Sequence, residues 1–262
     1  MSTSQNDEIT PNCDEVCPNQ MMRAVIFDLD GTLIDTAGDL AAAMNHVLTS
    51  RGHTPIPHRQ VRHLVGFGAK AMIKAGFELS AKTVPAEEIL IQMVDEFVDY
   101  YRANIADYSR PFEGMVEAIS FLRENGFLVG VCTNKKEALA RHLLEALSLA
   151  DSFDAIVGGD SAGVAKPDPA PVFLCLEQMG ISEAAIKEGR VRAVFVGDSD
   201  TDIRAATACK MPCLVADFGY GPVDLLEDFN QENRLASFDS FHGLPELITD
   251  MLATIALPRS QN

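Results

Sequence analysis

Positive charge is scarce in this chain. Its 262 residues carry 21 Lys and Arg against 38 Asp and Glu, a formal net charge of −17. Sequence-independent nucleic-acid binding needs clustered Lys and Arg, so this balance argues against it, and it disfavours anionic membrane surfaces too. Long apolar runs are also missing. No stretch reaches the ~18–20 residues that cross a bilayer. The opening MSTSQNDEITPNCDEVCPNQ lacks the basic start and apolar centre of a signal peptide, and residues 1–20 read as a polar tail. Cysteine is sparse: Cys13, Cys17, Cys132, Cys175, Cys209 and Cys213 form no compact framework, and a chain this long needs no disulfide staples. Cys13 and Cys17 make a C-x3-C pair without nearby partners, whereas closed zinc sites use four ligands. The expectation is reduced thiols in a cytoplasmic protein, monomer or homodimer.

Hydrophobic residues are 47% of the chain, enough for a sizeable core. Five short runs read as strands: residues 23–28, 127–133, 154–158, 192–197 and 212–216. They are rich in Val, Ile and Phe with little polar alternation, the pattern of parallel strands covered on both faces. Helical patterns lie between most of them, at 114–126, 135–149, 169–180 and 200–210. In the first, Met115, Ile119 and Leu122 share a face and Gly126 closes the helix. Strands alternating with helices predict a doubly wound, mostly parallel α/β sheet.

Residues 36–109 break that rhythm. Leu40, Met44, Val47 and Leu48 recur at helical spacing, as do Ile89, Met93, Phe97 and Tyr101. So much helix between two strands exceeds an ordinary crossover. The expected organisation is a tail over 1–20, an α/β core from 21–35 and 110–262, and a helical cap inserted over 36–109.

Ligands bind at the carboxyl ends of strands in such sheets. There the sequence places Asp28 and Asp30 with Gly31-Thr32, then Thr133-Asn134, then Lys166 in KPDP, then Asp198, Asp200 and Asp202 in GDSDTD. Gathered carboxylates repel one another and a divalent cation relieves the repulsion. An all-oxygen set with room for water and phosphate suits Mg²⁺. Each residue also has a plainer reading. Asp28 fits a turn, Thr133-Asn134 a helix N-cap, Lys166 a solvated charge, and the aspartates of 198–202 a helix start. Their coincidence at four strand ends favours a site.

DLDGTL, TN, KPDPAP and GDSDTD, in this order, resemble the haloacid dehalogenase superfamily in its phosphatase branch, over nearly the whole chain after residue 20. VGGDSAGVAKPDPAPV and VFVGDSDTDIRAA are similar to segments of phosphoglycolate phosphatases and their relatives. The resemblance implies that Asp28 is the nucleophile and forms an aspartyl phosphate, with Asp30 as acid and then base. It implies that Thr133 and Asn134 donate to phosphoryl oxygens and Lys166 offsets their charge. Mg²⁺ would lie between phosphate, the Asp28 carboxylate, the Asp30 carbonyl and Asp198. Thr32 supports the loop, Asp202 binds through water or orients Lys166, and Asp200 is the lesser candidate among these acids. In the cap, Arg62, His63 and Lys70, around the Gly-containing GFGAKA, are candidates to meet a substrate carboxylate.

The implied activity is Mg²⁺-dependent hydrolysis of a small anionic phosphate ester, 2-phosphoglycolate first among candidates, with no nucleic-acid or membrane partner. A phosphomutase would use the same core residues. A dehalogenase lacks the second Asp of DLD, and a phosphoryl-accepting receiver module lacks both an acid like Asp30 and the helical insert. A cap over the strand ends implies closure, with hinges near residues 35–38 and 104–111, around Gly38 and Pro111.

Overall fold

The structure, a computed structural model, describes residues 21–66, 68–221 and 235–254. Strand β1 (Met22–Phe27) shows why this sequence builds a central strand. Ala24 and Ile26 face one layer of helices, Val25 and Phe27 the other, and all four are fully buried. With no polar face, such a strand needs cover on both sides. It pairs in parallel with β4 (Phe127–Cys132) and with β6 (Val191–Gly197). β5 (Ala155–Val157), β7 (Cys213–Ala216) and β8 (Leu235–Phe238) complete a six-stranded parallel sheet. The spatial order is β5-β4-β1-β6-β7-β8. Chain order therefore reverses direction between β1 and β6, and the crevice at such a switch point, beyond the strands' carboxyl ends, is where ligands bind.

The five expected strands are present. β8 is additional: its LASF buries only its two ends, so it carries no apolar run by which to find it. A second, two-stranded sheet was also unexpected, because β2 (Ile34–Asp35) and β3 (Arg110–Pro111) are too short to show any period.

Helices α5 (Met115–Glu124), α6 (Glu137–Ala146) and the last described helix, Leu244–Thr254, pack with the Val25 face of the sheet. α7 (Ala170–Gln178) and α9 (Asp200–Ala208) cover the Ile26 face, and the short α8 (Glu183–Lys187) precedes β6. Met115, Ile119 and Leu122 are buried as expected, and Gly126 follows α5 with a left-handed φ of +75°.

Between β2 and β3 lie α1 (Ala37–Thr49), α2 (His58–Val61), α3 (Ala69–Ser80) and α4 (Glu87–Ala103). α1, α3 and α4 pack on one another. Leu40, Met44, Val47 and Leu48 are buried, but the α4 stripe needs correcting. Leu90 is 1% exposed and Ile89 47%. Successive residues on an α-helix are ~100° apart, and Leu90 lies in the sector of Phe97 and Tyr101, which Ile89 misses. The two chain crossings at 35–38 and 108–111 are stitched together. Besides the β2-β3 pairing, buried Asp39 accepts from the N–H groups of Tyr108 (3.0 Å) and Ser109 (2.8 Å) and from Ser109 Oγ (2.5 Å). Gly38 lies so close to Tyr108 that an added Cβ would come within 2.5 Å of it.

Candidate active site

Parallel register brings the first two acids together. Asp28 directly follows β1, its N–H bonded to the Val196 carbonyl of β6 at 2.8 Å, and Asp198 directly follows β6. Asp28, Asp198 and Asp202 each offer a carboxylate oxygen within 4.8 Å of the others. Lys166 reaches in from the loop before α7 and is 4% exposed. Its ammonium lies 2.9 Å from Asp28 Oδ1 and 2.6 Å from Asp202 Oδ1. Burial pulls Lys166 toward the neutral form, but Asp202 and Asp28 outweigh it and hold the ammonium above its usual range.

One cation does not balance three carboxylates. Burial first, then Asp202 and Asp28, push Asp198 up to about 8. Burial pushes Asp28 up to about 6, with Asp202 and Asp30 adding to the rise and Lys166 opposing it. Such a cluster of hard, buried oxygens fits a divalent cation such as Mg²⁺. Among the three, Asp202 is the most committed. Its Oδ2 accepts from the N–H groups of Asp198 (3.2 Å) and Ser199 (3.0 Å) and from Ser199 Oγ (2.6 Å), the Ser199 N–H bond being part of the capping box of α9. Asp28 and Asp198 accept fewer bonds than Asp202 does. Asp200 stands apart, partly exposed and paired with Arg204 at 3.1 Å one helical turn on.

Asp198 is itself held by Thr32 Oγ1 at 3.1 Å and by the Tyr220 N–H at 2.6 Å. Gly31 allows this crowding. Its φ is +86°, and a Cβ there would come within 2.5 Å of Asp198 Oδ2 and 2.7 Å of the Tyr220 ring. A Gly31→Ala variant combines a left-handed Cβ with overpacking, and is expected to lose about 2–4 kcal/mol of stability in a denaturant titration. Its activity should fall with the displaced Asp198.

Asp30 has partners that sequence reasoning missed. Lys135 Nζ lies 2.9 Å from each of its carboxylate oxygens, and Thr36 Oγ1 donates to Oδ1 at 2.6 Å. Lys135 is also 4.8 Å from the centroid of the Tyr101 ring on α4, so it links the core to the inserted helices. Burial opposes its charge, but Asp30 outweighs this and raises its pKa. The sequence pattern had absorbed residue 135 into a helix, whereas α6 begins only at Glu137. Its place directly after Thr133-Asn134 was the available signal.

Asn134, a candidate to donate to phosphoryl oxygens, meets the Lys166 backbone through its side chain. Oδ1 accepts from Lys166 N–H at 2.9 Å and Nδ2 donates to the Lys166 carbonyl at 3.1 Å. Thr133 is buried beside it, its Oγ1 accepting from the Lys135 N–H at 3.2 Å.

Two of the three cap candidates have described side chains. Lys70 is ion-paired with Glu87 at the exposed start of α4. Arg62 donates to the Phe218 carbonyl at 2.7 Å and stacks near Tyr220. The side chain of His63, like Cys13 and Cys17, lies outside the described residues. The four described cysteines are free thiols, and burial pushes Cys132 up to about 12, which makes it a poor nucleophile.

Comparison with known proteins agrees with this architecture. Residues 25–216 match the family model for haloacid dehalogenase-like hydrolases. A phosphoglycolate phosphatase of Agrobacterium fabrum is 40% identical over 203 residues, 77% of this chain and 83% of its own. One from Caulobacter vibrioides is 40% identical over 204 residues, with the same coverage. A crystal structure from Haemophilus somnus, described as a predicted phosphoglycolate phosphatase, superposes with a TM-score of 0.74 at 24% identity. It covers 87% of this chain and 98% of that one, and shows the shared fold. The chain belongs to the haloacid dehalogenase-like hydrolases and is an enzyme of their phosphatase branch.

Proposed function

We propose that this phosphatase hydrolyses a small anionic phosphomonoester, 2-phosphoglycolate first, with Mg²⁺ and through an aspartyl phosphate on Asp28. The observation that carries the reading is the meeting of Asp28, Lys166, Asp198 and Asp202 at the β1-β6 switch point, with Asp30 two residues beyond the nucleophile. The names of the curated relatives support the substrate.

Among the described residues, only Lys166 is bonded to the Asp28 carboxylate, and it holds Oδ1. Oδ2 is thus placed to attack phosphorus as the ester P–O bond breaks. The leaving oxygen takes the proton of Asp30. Water then attacks the aspartyl phosphate, Asp30 takes its proton, and the Asp28–phosphorus bond breaks to release phosphate and restore the carboxylate. Asp28, Asp198 and the Asp30 carbonyl would hold Mg²⁺, which when bound supplies positive charge to the transferring phosphoryl group. Lys166 adds to that charge and Thr133 donates to the phosphoryl oxygens. Residues 36–109 act as the cap and the β2-β3 ribbon as its hinge. Free, mostly buried thiols support a cytoplasmic home.

Phosphate release from a panel of small esters, with Mg²⁺ or with a chelator, tests the reading. Turnover should need the metal and should favour 2-phosphoglycolate. Metal-independent turnover would remove the Mg²⁺ role, and a low rank for 2-phosphoglycolate would remove the substrate.

A linked effect on stability is expected. Acids whose folded pKa is raised stabilise the fold fully below their unfolded value, and that contribution is lost as pH rises through about 6 for Asp28 and about 8 for Asp198. A cation bound by the deprotonated oxygens restores it. Mg²⁺ should therefore raise the thermal midpoint more at about pH 8.5 than at about pH 5.5. Equal shifts at both would contradict a site on these acids.

A further inference from the structure

Tyr220 joins parts of the site that no sequence motif connects. It follows β7 and is 7% exposed. At one end, its backbone N–H donates to Asp198 Oδ2 at 2.6 Å. At the other, its hydroxyl accepts from the N–H groups of Thr36 (2.7 Å) and Ala37 (3.0 Å) and donates to Asp35 Oδ1 (2.7 Å). The Thr36 side chain does not cap α1, so the phenol oxygen satisfies donors that a helix start leaves open. Thr36 is fully buried, and its own hydroxyl donates to Asp30 Oδ1 at 2.6 Å. A continuous chain therefore runs from the Tyr220 hydroxyl through Thr36 to Asp30. Over the ring, Arg62 brings its guanidinium carbon to 5.2 Å from the centroid and bonds the Phe218 carbonyl.

We infer that Tyr220 is a positioning residue for proton transfer: its hydroxyl fixes Thr36, and Thr36 fixes the Asp30 carboxyl against the leaving oxygen. The inference rests on Asp30 being the acid and base, as proposed above. Without the hydroxyl, the buried Thr36 N–H loses its partner, a cost that drives the segment to shift. Asp30 then keeps Lys135 but loses the fixed hydroxyl on its other side. Asp198 keeps its bond, because that donor is backbone.

The test is Tyr220→Phe, which keeps the ring and removes one oxygen. An acid matters for an alkyl ester, whose leaving oxygen is strongly basic, and far less for p-nitrophenyl phosphate, whose phenolate leaves unaided. On 2-phosphoglycolate, kcat should fall about tenfold with KM within about twofold, the mark of an interaction made in the transition state. On p-nitrophenyl phosphate the loss should be much smaller. Amide exchange at Thr36 should quicken in the same variant. Equal losses on both esters, kcat unchanged on both, or unchanged exchange at Thr36 would each overturn the inference. Asp30→Asn run alongside separates the two levels. If it shows the larger leaving-group-dependent loss and Tyr220→Phe shows none, only the Tyr220 role fails. If Asp30→Asn shows no dependence, the acid-base reading fails and the Tyr220 role with it.

Discussion

Asp28→Asn is expected to lower turnover by at least about 10³-fold while leaving the fold intact. On the proposed mechanism the nucleophile has no substitute nearby: an amide oxygen is a poor attacker, and the other buried acids would serve Lys166 or a bound cation. Stability should move the other way from activity. The raised pKa of Asp28 means that the fold disfavours its charge, chiefly through burial and then through Asp202 and Asp30, despite Lys166. A neutral, isosteric amide removes that charge, so the thermal midpoint near neutral pH should hold or rise. Measuring both on one preparation matters. An inactive variant that is also unfolded would say nothing of the nucleophile, and an active, folded one would end the claim.

Lys166→Ala should act mainly on stability. The side chain is 2% exposed and its ammonium is shared between Asp28 and Asp202. Removing one partner of a buried ion pair costs about 3–5 kcal/mol, because the charge left behind has neither water nor a mate. For a protein of this size that corresponds to a drop of roughly 10 °C in thermal midpoint. The loss has a definite pH dependence. Without the lysine, which lowers the Asp28 pKa, Asp28 is easier to protonate, and a protonated acid no longer needs the cation. The deficit against the parent should therefore be largest at about pH 8 and shrink as pH falls below about 6. A deficit independent of pH would point to lost packing rather than lost charge. Activity should also fall, through the phosphoryl charge that Lys166 offsets.

Much of this was legible in the sequence, because the candidate site residues sit at strand ends and strands without a polar face are easy to recognise. Val25 to Asp28 and Val194 to Asp198 announce both a buried strand and the acid that follows it. What stayed hidden depends on partners distant in sequence. Tyr220 follows β7 with nothing periodic about it, and its importance lies in atoms about 185 residues away in Asp35 and Thr36. Asn134 and Lys166 were both singled out, but their mutual grip comes from the fold, not from either residue's type. Lys135 was lost to a helix boundary placed two residues early, the kind of shift end effects produce. Ile89 and Leu90 are chemically alike, and only the angle at which α4 lies on its neighbours separates them. The β2-β3 ribbon is too short for pattern to find, and β8 carries no apolar run.

These hidden contacts share a consequence. Asp39 fastens the two crossings to each other, Tyr220 fastens the first crossing to Asp198, and Lys135 stands between Asp30 and Tyr101. The inserted helices are thus tied to the candidate site by specific contacts, and on the proposed function their motion would be felt at Asp30 and Asp198.

The most direct measurement is acid quench of the enzyme during turnover with Mg²⁺, followed by peptide mass spectrometry. The account predicts a phosphoryl adduct on the peptide containing residues 25–36, located at Asp28 and absent from Asp28→Asn. Turnover that leaves no adduct under conditions where phosphate release shows a burst, or an adduct on any other residue, would contradict it.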